Sequence, residues 1–198
     1  NSCAGAVFDA RNDAIMDLLL GGDRFVKSGT FAKSGGTGTT TIAARFDNNG
    51  IVDIRSGTMS FVQLGPATGS FTGTAGTVLK ILGAVNSTAD FQAGSTIDVP
   101  VVYLVMSGGT INVAGDYNVS DSSNFAGGMI NLTGNLTGLG EVIHVTGGAN
   151  ANFSNPVTEI ELPKVLVDMG GTLSGSSNLT VMDSLIWGSG GRIDGSGS

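Results

Sequence analysis

One imidazole and one thiol are the only groups of their kind in this chain of 198 residues. His144 sits between Ile143 and Val145 in EVIHVTGG, an outward or half-buried position of a strand. A zinc site built on His144 and Cys3 would need carboxylate ligands that the spacing does not supply, so no metal or cofactor is expected. Serine hydrolysis would need a hydroxyl activated by this one imidazole, and no nucleophile-elbow phrase is present. Carboxylate chemistry has more candidates: Asp116, Asp121, Glu141, Glu159 and Glu161, with Lys164 as a basic partner. Glu159 and Glu161 would share a face of an extended strand, but the spacing of the set is that of surface decoration.

Asparagine followed at the second position by Ser or Thr occurs at Asn86, Asn118, Asn131, Asn135, Asn152 and Asn178. Composition alone would supply roughly three such sequons. The six are candidate N-glycosylation sites of a sugar-coated glycoprotein; enrichment of Asn, Ser and Thr at corners and outer faces is the competing explanation.

What holds these residues is legible in the composition. There are 33 glycines, 6% aromatics and 13% charged residues, which argues against helical globules. Hydrophobic residues make up 40% of the chain in short alternating runs, which argues against disorder. Collagen's strict glycine period is absent. A net charge of −7 should repel phosphate backbones, so no nucleic-acid partner is expected. No run of 18 apolar residues occurs, and no membrane span is expected in this segment.

Turn phrases rich in glycine recur before β-formers: SGTM, AGTV, AGSTI, SGGTI, AGGMI, MGGTL and SGGRI. The apolar residues after them, Met59, Val78, Ile97, Ile111, Ile130, Leu173 and Ile193, lie 19, 19, 14, 19, 43 and 20 positions apart, and TGGA at 146–149 divides the long step. In a second register Phe8, Phe71 and Phe153 each stand seven residues before Ile15, Val78 and Ile160, which suggests stacked core residues, with Leu18 among the apolar followers. A short helical cap is the alternative for VFDARNDAIMDLLL. Trp187 reads as core or partly buried, and GSFTGTAGTVLKILGAVNSTADF as a rung bulging into loops.

Short strands, tight corners and a period near 20 residues predict an all-β, parallel β-solenoid (β-helix) with rungs of about 19–23 residues, against a β-sandwich as the competing architecture. Residues 1–198 read as one continuous solenoid segment, a fragment of a longer repetitive chain.

KSGGTGTTTI, FDNNGIVDIRSGTMSF and GGTLSGSSNLTVMDSLIWGSGGRIDGSGS resemble the glycine-rich repeats of very large secreted or surface β-solenoid proteins, the adhesin stalks and autotransporter passengers. The resemblance implies a right-handed β-helix outside the cell, extracellular or at the cell surface, used as scaffold, and brings no catalytic pattern. The function expected is a non-enzymatic structural rod or building block of a surface appendage, filament or coat. Its partners would be covalent glycans and copies of itself or further solenoid segments stacked end to end. An adhesin module binding a glycan or cell-surface protein is the alternative, through a loop at Gly83–Ala89 or Asn118–Asn124. A polysaccharide lyase or hydrolase on a β-helix is the third reading.

Overall fold

The computed structural model describes residues 3–17, 24–155 and 159–195, and these form a right-handed parallel β-solenoid with steps of about 21 residues. In chain order the first three rungs contain β1 (Val7–Ala10), β2 (Ile15–Met16) and β3 (Arg24–Lys27); β4 (Thr30–Lys33) and β5 (Thr39–Asn48); and β6 (Ile51–Ile54), β7 (Thr58–Leu64) and β8 (Pro66–Ala67). The next three contain β9 (Ser70–Gly73), β10 (Val78–Gly83) and β11 (Thr88–Phe91); β12 (Thr96–Met106) and β13 (Thr110–Val113); and β14 (Asp116–Ala126) and β15 (Met129–Leu132). The last three contain β16 (Leu136–Leu139), β17 (Val142–Thr146) and β18 (Asn150–Phe153); β19 (Glu159–Leu162), β20 (Lys164–Val167) and β21 (Thr172–Gly175); and β22 (Asn178–Val181), β23 (Leu185–Trp187) and β24 (Arg192–Gly195).

Each rung turns through three faces, and β5, β12 and β14 are long enough to cross a corner. The first face stacks β1, β4, β6, β9 and the starts of β12 and β14, then β16; the second runs from β2 to β23 and the third from β3 to β24. Every described ladder is parallel. The step between partners ranges from 18 residues, Arg45 to Gln63, to 26, Ile15 to Thr41, wider than the 19–23 expected from the turns.

Alternation fixes which side chains are inside, because successive residues of a strand face opposite sides of the sheet. On the first face the inward column is Phe8, Phe31, Val52, Phe71, Ile97 and Tyr117. From Phe31 to Tyr117 these residues are fully buried, and the rings of Phe61, Phe71 and Phe91 meet edge-on across the lumen at 5.3–5.9 Å. Such a thin core stabilises the rod through contacts between adjacent rungs.

The corner between the third and first faces explains one set of glycines. Gly29, Gly50, Gly69, Gly115 and Gly134 stack there, and a Cβ on Gly50 would collide with the carbonyl oxygen of Gly29, one on Gly69 with that of Gly50. Those carbonyls accept the ladder bonds from Ile51 and Ser70 at 2.9 Å. At these glycines the rungs approach too closely for a side chain, whereas Ser95 takes the same position between Gly69 and Gly115.

The structure reassigns several sequence features. Met59 and Val78 lie on the second face, Ile97 on the first, and Ile111, Ile130, Leu173 and Ile193 on the third. The same turn phrase therefore serves three different corners, and the step of 14 marks a change of corner. The step of 43 is two true rungs, Ile130 to Ala151 to Leu173. Phe8 and Phe71 share a column, whereas Phe153 stacks on Leu132 of the third face. Phe8 is 42% exposed because it belongs to the first rung. The expected bulging rung is instead β9, β10 and β11 joined by tight corners, with its excess length in the 26-residue step from Ser70 to Thr96. The proposed loop at Asn118–Asn124 is part of β14. Residues 7–10 and 15–16 are strand rather than helix, and Leu18 lies outside the described residues.

Candidate functional site

A parallel stack brings outward polar residues one above another at the rung spacing, so like residues in register bond along the axis. On the third face Asn112 donates its amide to the Asp90 carboxylate at 2.6 Å, Asn131 to Asn112 Oδ1 at 2.8 Å, and Asn152 to Asn131 Oδ1 at 2.9 Å. On the first face Asn118 donates to Asp98 at 2.9 Å, and beside it Asn135 donates to Asp116 at 3.2 Å. In each ladder the amide points toward the preceding rung and the first acceptor is a carboxylate, the stronger kind of acceptor. Each such bond contributes about 0.5–1.5 kcal/mol net.

These ladders contain four of the six sequon asparagines. The other two, exposed as Asn118 and Asn135 also are, lie elsewhere: Asn86 in the corner between β10 and β11 with φ of 56°, and Asn178 at the start of β22. Among the described residues neither side-chain amide has a hydrogen-bond partner. The Glu159 carboxylate beneath β22 is taken by Thr180 at 3.0 Å.

The carboxylate candidates do not converge on one point. Asp116 opens β14 and accepts from Asn135, while Glu159 and Glu161 stand exposed on β19. Asp121, Glu141 and Lys164 do stack at one corner, with Glu141 N–H donating to the Asp121 carbonyl at 2.8 Å and Lys164 N–H to that of Glu141 at 3.2 Å. Among the described residues, no group of three or more His, Cys, Asp or Glu could hold a metal ion. Cys3 is a free, exposed thiol.

His144 is a half-exposed outward residue of the second face, as the strand pattern predicts, and its Nε2 lies 3.1 Å from Asp168 Oδ1. The hydroxyl of Thr146, and then His144, hold the Asp168 carboxyl below the usual carboxylate range. Asp168 was missed in the sequence because it lies 24 residues from His144, and only the rung step pairs them.

Two lysines were missed as well. Lys33 occupies an inward position beside Ala10 and Ile54 and is fully buried; its ammonium meets Asp13 at 2.9 Å, Gly35 O at 2.9 Å and Thr40 Oγ1 at 2.9 Å. Lys27 is equally buried against the Ala6 carbonyl at 3.0 Å, and burial pushes its amine below the usual lysine value. The polar contacts around Lys33 offset the cost of enclosing a charge.

Hydrogen bonds from Lys33 lower the Asp13 pKa, and those from Ser34 and Arg11 lower that of Asp9. A carboxyl with a lowered folded-state pKa stabilises the fold fully above its unfolded value, near 3.8, and loses that contribution as pH falls through the folded value. The thermal midpoint is therefore expected to fall with acidification below that value. Asp13→Asn should flatten part of the fall in melts followed by circular dichroism; an unchanged pH profile would show that the Asp13–Lys33 contact contributes nothing to it.

A concavity lies on the first face between β16 and β19. Asn155 follows Gly134 at the glycine corner and its side-chain amide donates to the Gly134 carbonyl, while its own backbone N–H is bonded to Ser177 Oγ at 3.0 Å. Among the described residues β16 pairs with β14 alone and β19 with β22 alone, while β17–β20 and β18–β21 are laddered. The cavity of about 300 Å³ between β16 and β19 is lined by Leu136, Thr137, Gly138, Asn155, Glu159 and Glu161.

Comparison with protein families, curated proteins and solved structures finds no match to this chain.

Proposed function

We propose that this chain is a stiff structural rod segment of an extracellular or cell-surface appendage, filament or coat, glycosylated on its outside and acting without catalysis. One observation carries the reading: a stack of parallel rungs whose inward columns run buried and laddered from one rung to the next. Phe31 and Val167 are fully buried. Their end-rung counterparts in the same columns, Phe8 and Trp187, are 42% and 62% exposed. Trp187 was expected in the core or partly buried, with an exposed adhesive corner as the alternative; it takes an inward position, its indole N–H donating to Gly191 O at 2.6 Å, and no described rung lies over it. Leu185 and Ile193, in the columns of Val165 and Leu173, are also exposed.

A parallel stack can be extended because another rung continues both the ladder and the inward columns. Further solenoid or a second copy stacked head to tail would do so, and a contact of that kind that does not close extends into a filament. The 16 acidic against 9 basic residues oppose lateral adhesion between rods.

Electron microscopy of native, full-length material tests the proposal. Rods with axial continuity are the expected result, and discrete particles with no axial continuation would defeat it. The adhesin reading draws support from the second face, where Tyr103 is 39% exposed, with the Lys80 ammonium 5.9 Å from its ring centre and Val101 and Val105 alongside. A soluble monomer that binds a dissociable glycan would favour that reading over the rod.

A further inference from the structure

The sequons divide into two structural classes. Asn118, Asn131, Asn135 and Asn152 all donate their side-chain amides to the rung before, at 2.8–3.2 Å. Asn86 and Asn178, exposed as Asn118 and Asn135 are, have no such bond among the described residues.

Strand geometry accounts for the first class without any sugar. An outward asparagine is followed by an inward residue and then by another outward one. Val119, Leu132 and Phe153 are the buried middle residues of three of these sequons, and Ser120, Thr133 and Ser154 are the polar third residues. A solenoid that stacks asparagines on an outer face and fills the next outward position with Ser or Thr writes this tripeptide as a by-product. Asn86 is different, since its sequon spans a corner where the backbone takes a left-handed conformation.

We infer that the N-linked glycan acceptors of this chain are Asn86 and Asn178, and that the other four sequons are structural ladder. This rests on the glycoprotein reading above and sorts its sites. A sugar on Asn131 would occupy an amide held between Asn112 and Asn152. Successive rungs there are about 4.8 Å apart, and the amide is half-buried. Chains carrying sugar at that position would have to give up ladder bonds to close the rung. Asn86 and Asn178 are exposed, and a sugar there displaces no ladder bond among the described residues.

The test is the chain secreted from an N-glycosylating eukaryotic cell, with enzymatic glycan release in heavy-oxygen water and peptide mapping. Sugar at Asn86 and Asn178, with none at the other four, is expected. Sugar at any ladder asparagine of the folded secreted protein, or a bare Asn86 or Asn178, overturns the assignment. Mapping the native material separates the two ideas: bare native protein alongside the expected pattern in the secreted chain would defeat the glycoprotein reading and leave the acceptor assignment standing. Unglycosylated bacterial protein checks the ladder independently. Asn131→Ala and Asn152→Ala should each lower the thermal midpoint by about 2–4 °C. Asn86→Gly, which suits the local backbone, and Asn178→Gln should leave it unchanged, and equal shifts in both classes would overturn the division.

Discussion

Gly50→Ala is expected to lower the free energy of unfolding by on the order of 3 kcal/mol, the upper end of what one inserted carbon costs in a packed site. The added Cβ would meet the Gly29 carbonyl oxygen, and backbone cannot swing away as a flexible side chain can. That oxygen also accepts the Ile51 N–H at 2.9 Å, so moving it weakens the ladder that joins the second and third rungs. Gly76→Ala is the control. Gly76 has φ of 78° but nothing within reach of a Cβ, so only backbone strain opposes the change, about 1 kcal/mol. Chemical denaturation of both variants measures the difference; equal losses would mean that glycine is held at the corner by conformation and that the close approach of rungs does not matter.

The same corner shows how far the sequence could be read. Gly29, Gly50, Gly69, Gly115 and Gly134 share one column, with Ser95 between Gly69 and Gly115, but among 33 glycines they carry no mark separating them from turn glycines. The turn phrases were conspicuous and gave the solenoid, because glycine before a β-former reports corner chemistry wherever the corner lies. They could not say which of three corners, and so Ile97 and Ile111, on the first and third faces, entered one series. Ile111, Val113, Tyr117 and Val119 alternate in the sequence with polar or small neighbours, and all four are buried. The Asp168 partner of His144 and the Asp13 partner of Lys33 depend on register across a whole rung, which one sequence leaves open by several residues. Asn112, Asn131 and Asn152 were visible at their spacing, yet the glycosylation tripeptide drew attention from the simpler fact that they stack.

Phe71→Ala is expected to cost about 3–5 kcal/mol, as large-to-small changes at buried aromatics do. The ring is fully buried, packed edge-on against Phe61 at 5.9 Å and Phe91 at 5.3 Å, with Val52 and Ile97 in register on either side. It therefore joins all three faces within the lumen, and neighbouring rungs, held by their ladders, cannot collapse into the space left. Phe8→Ala removes the same atoms from the same column, but from a ring already 42% exposed on the first rung, so the loss should be about 1 kcal/mol. The position of the damage is the sharper test. In a rod whose rungs contact only their neighbours, stability is a sum of local terms. Amide hydrogen exchange on Phe71→Ala should thus show lost protection in β6, β9 and β12, with β18 and β21 still protected. Uniform loss along the chain would instead describe one globally cooperative unit, and a rod that unfolds all at once would be poorly suited to bear load by the independence of its rungs.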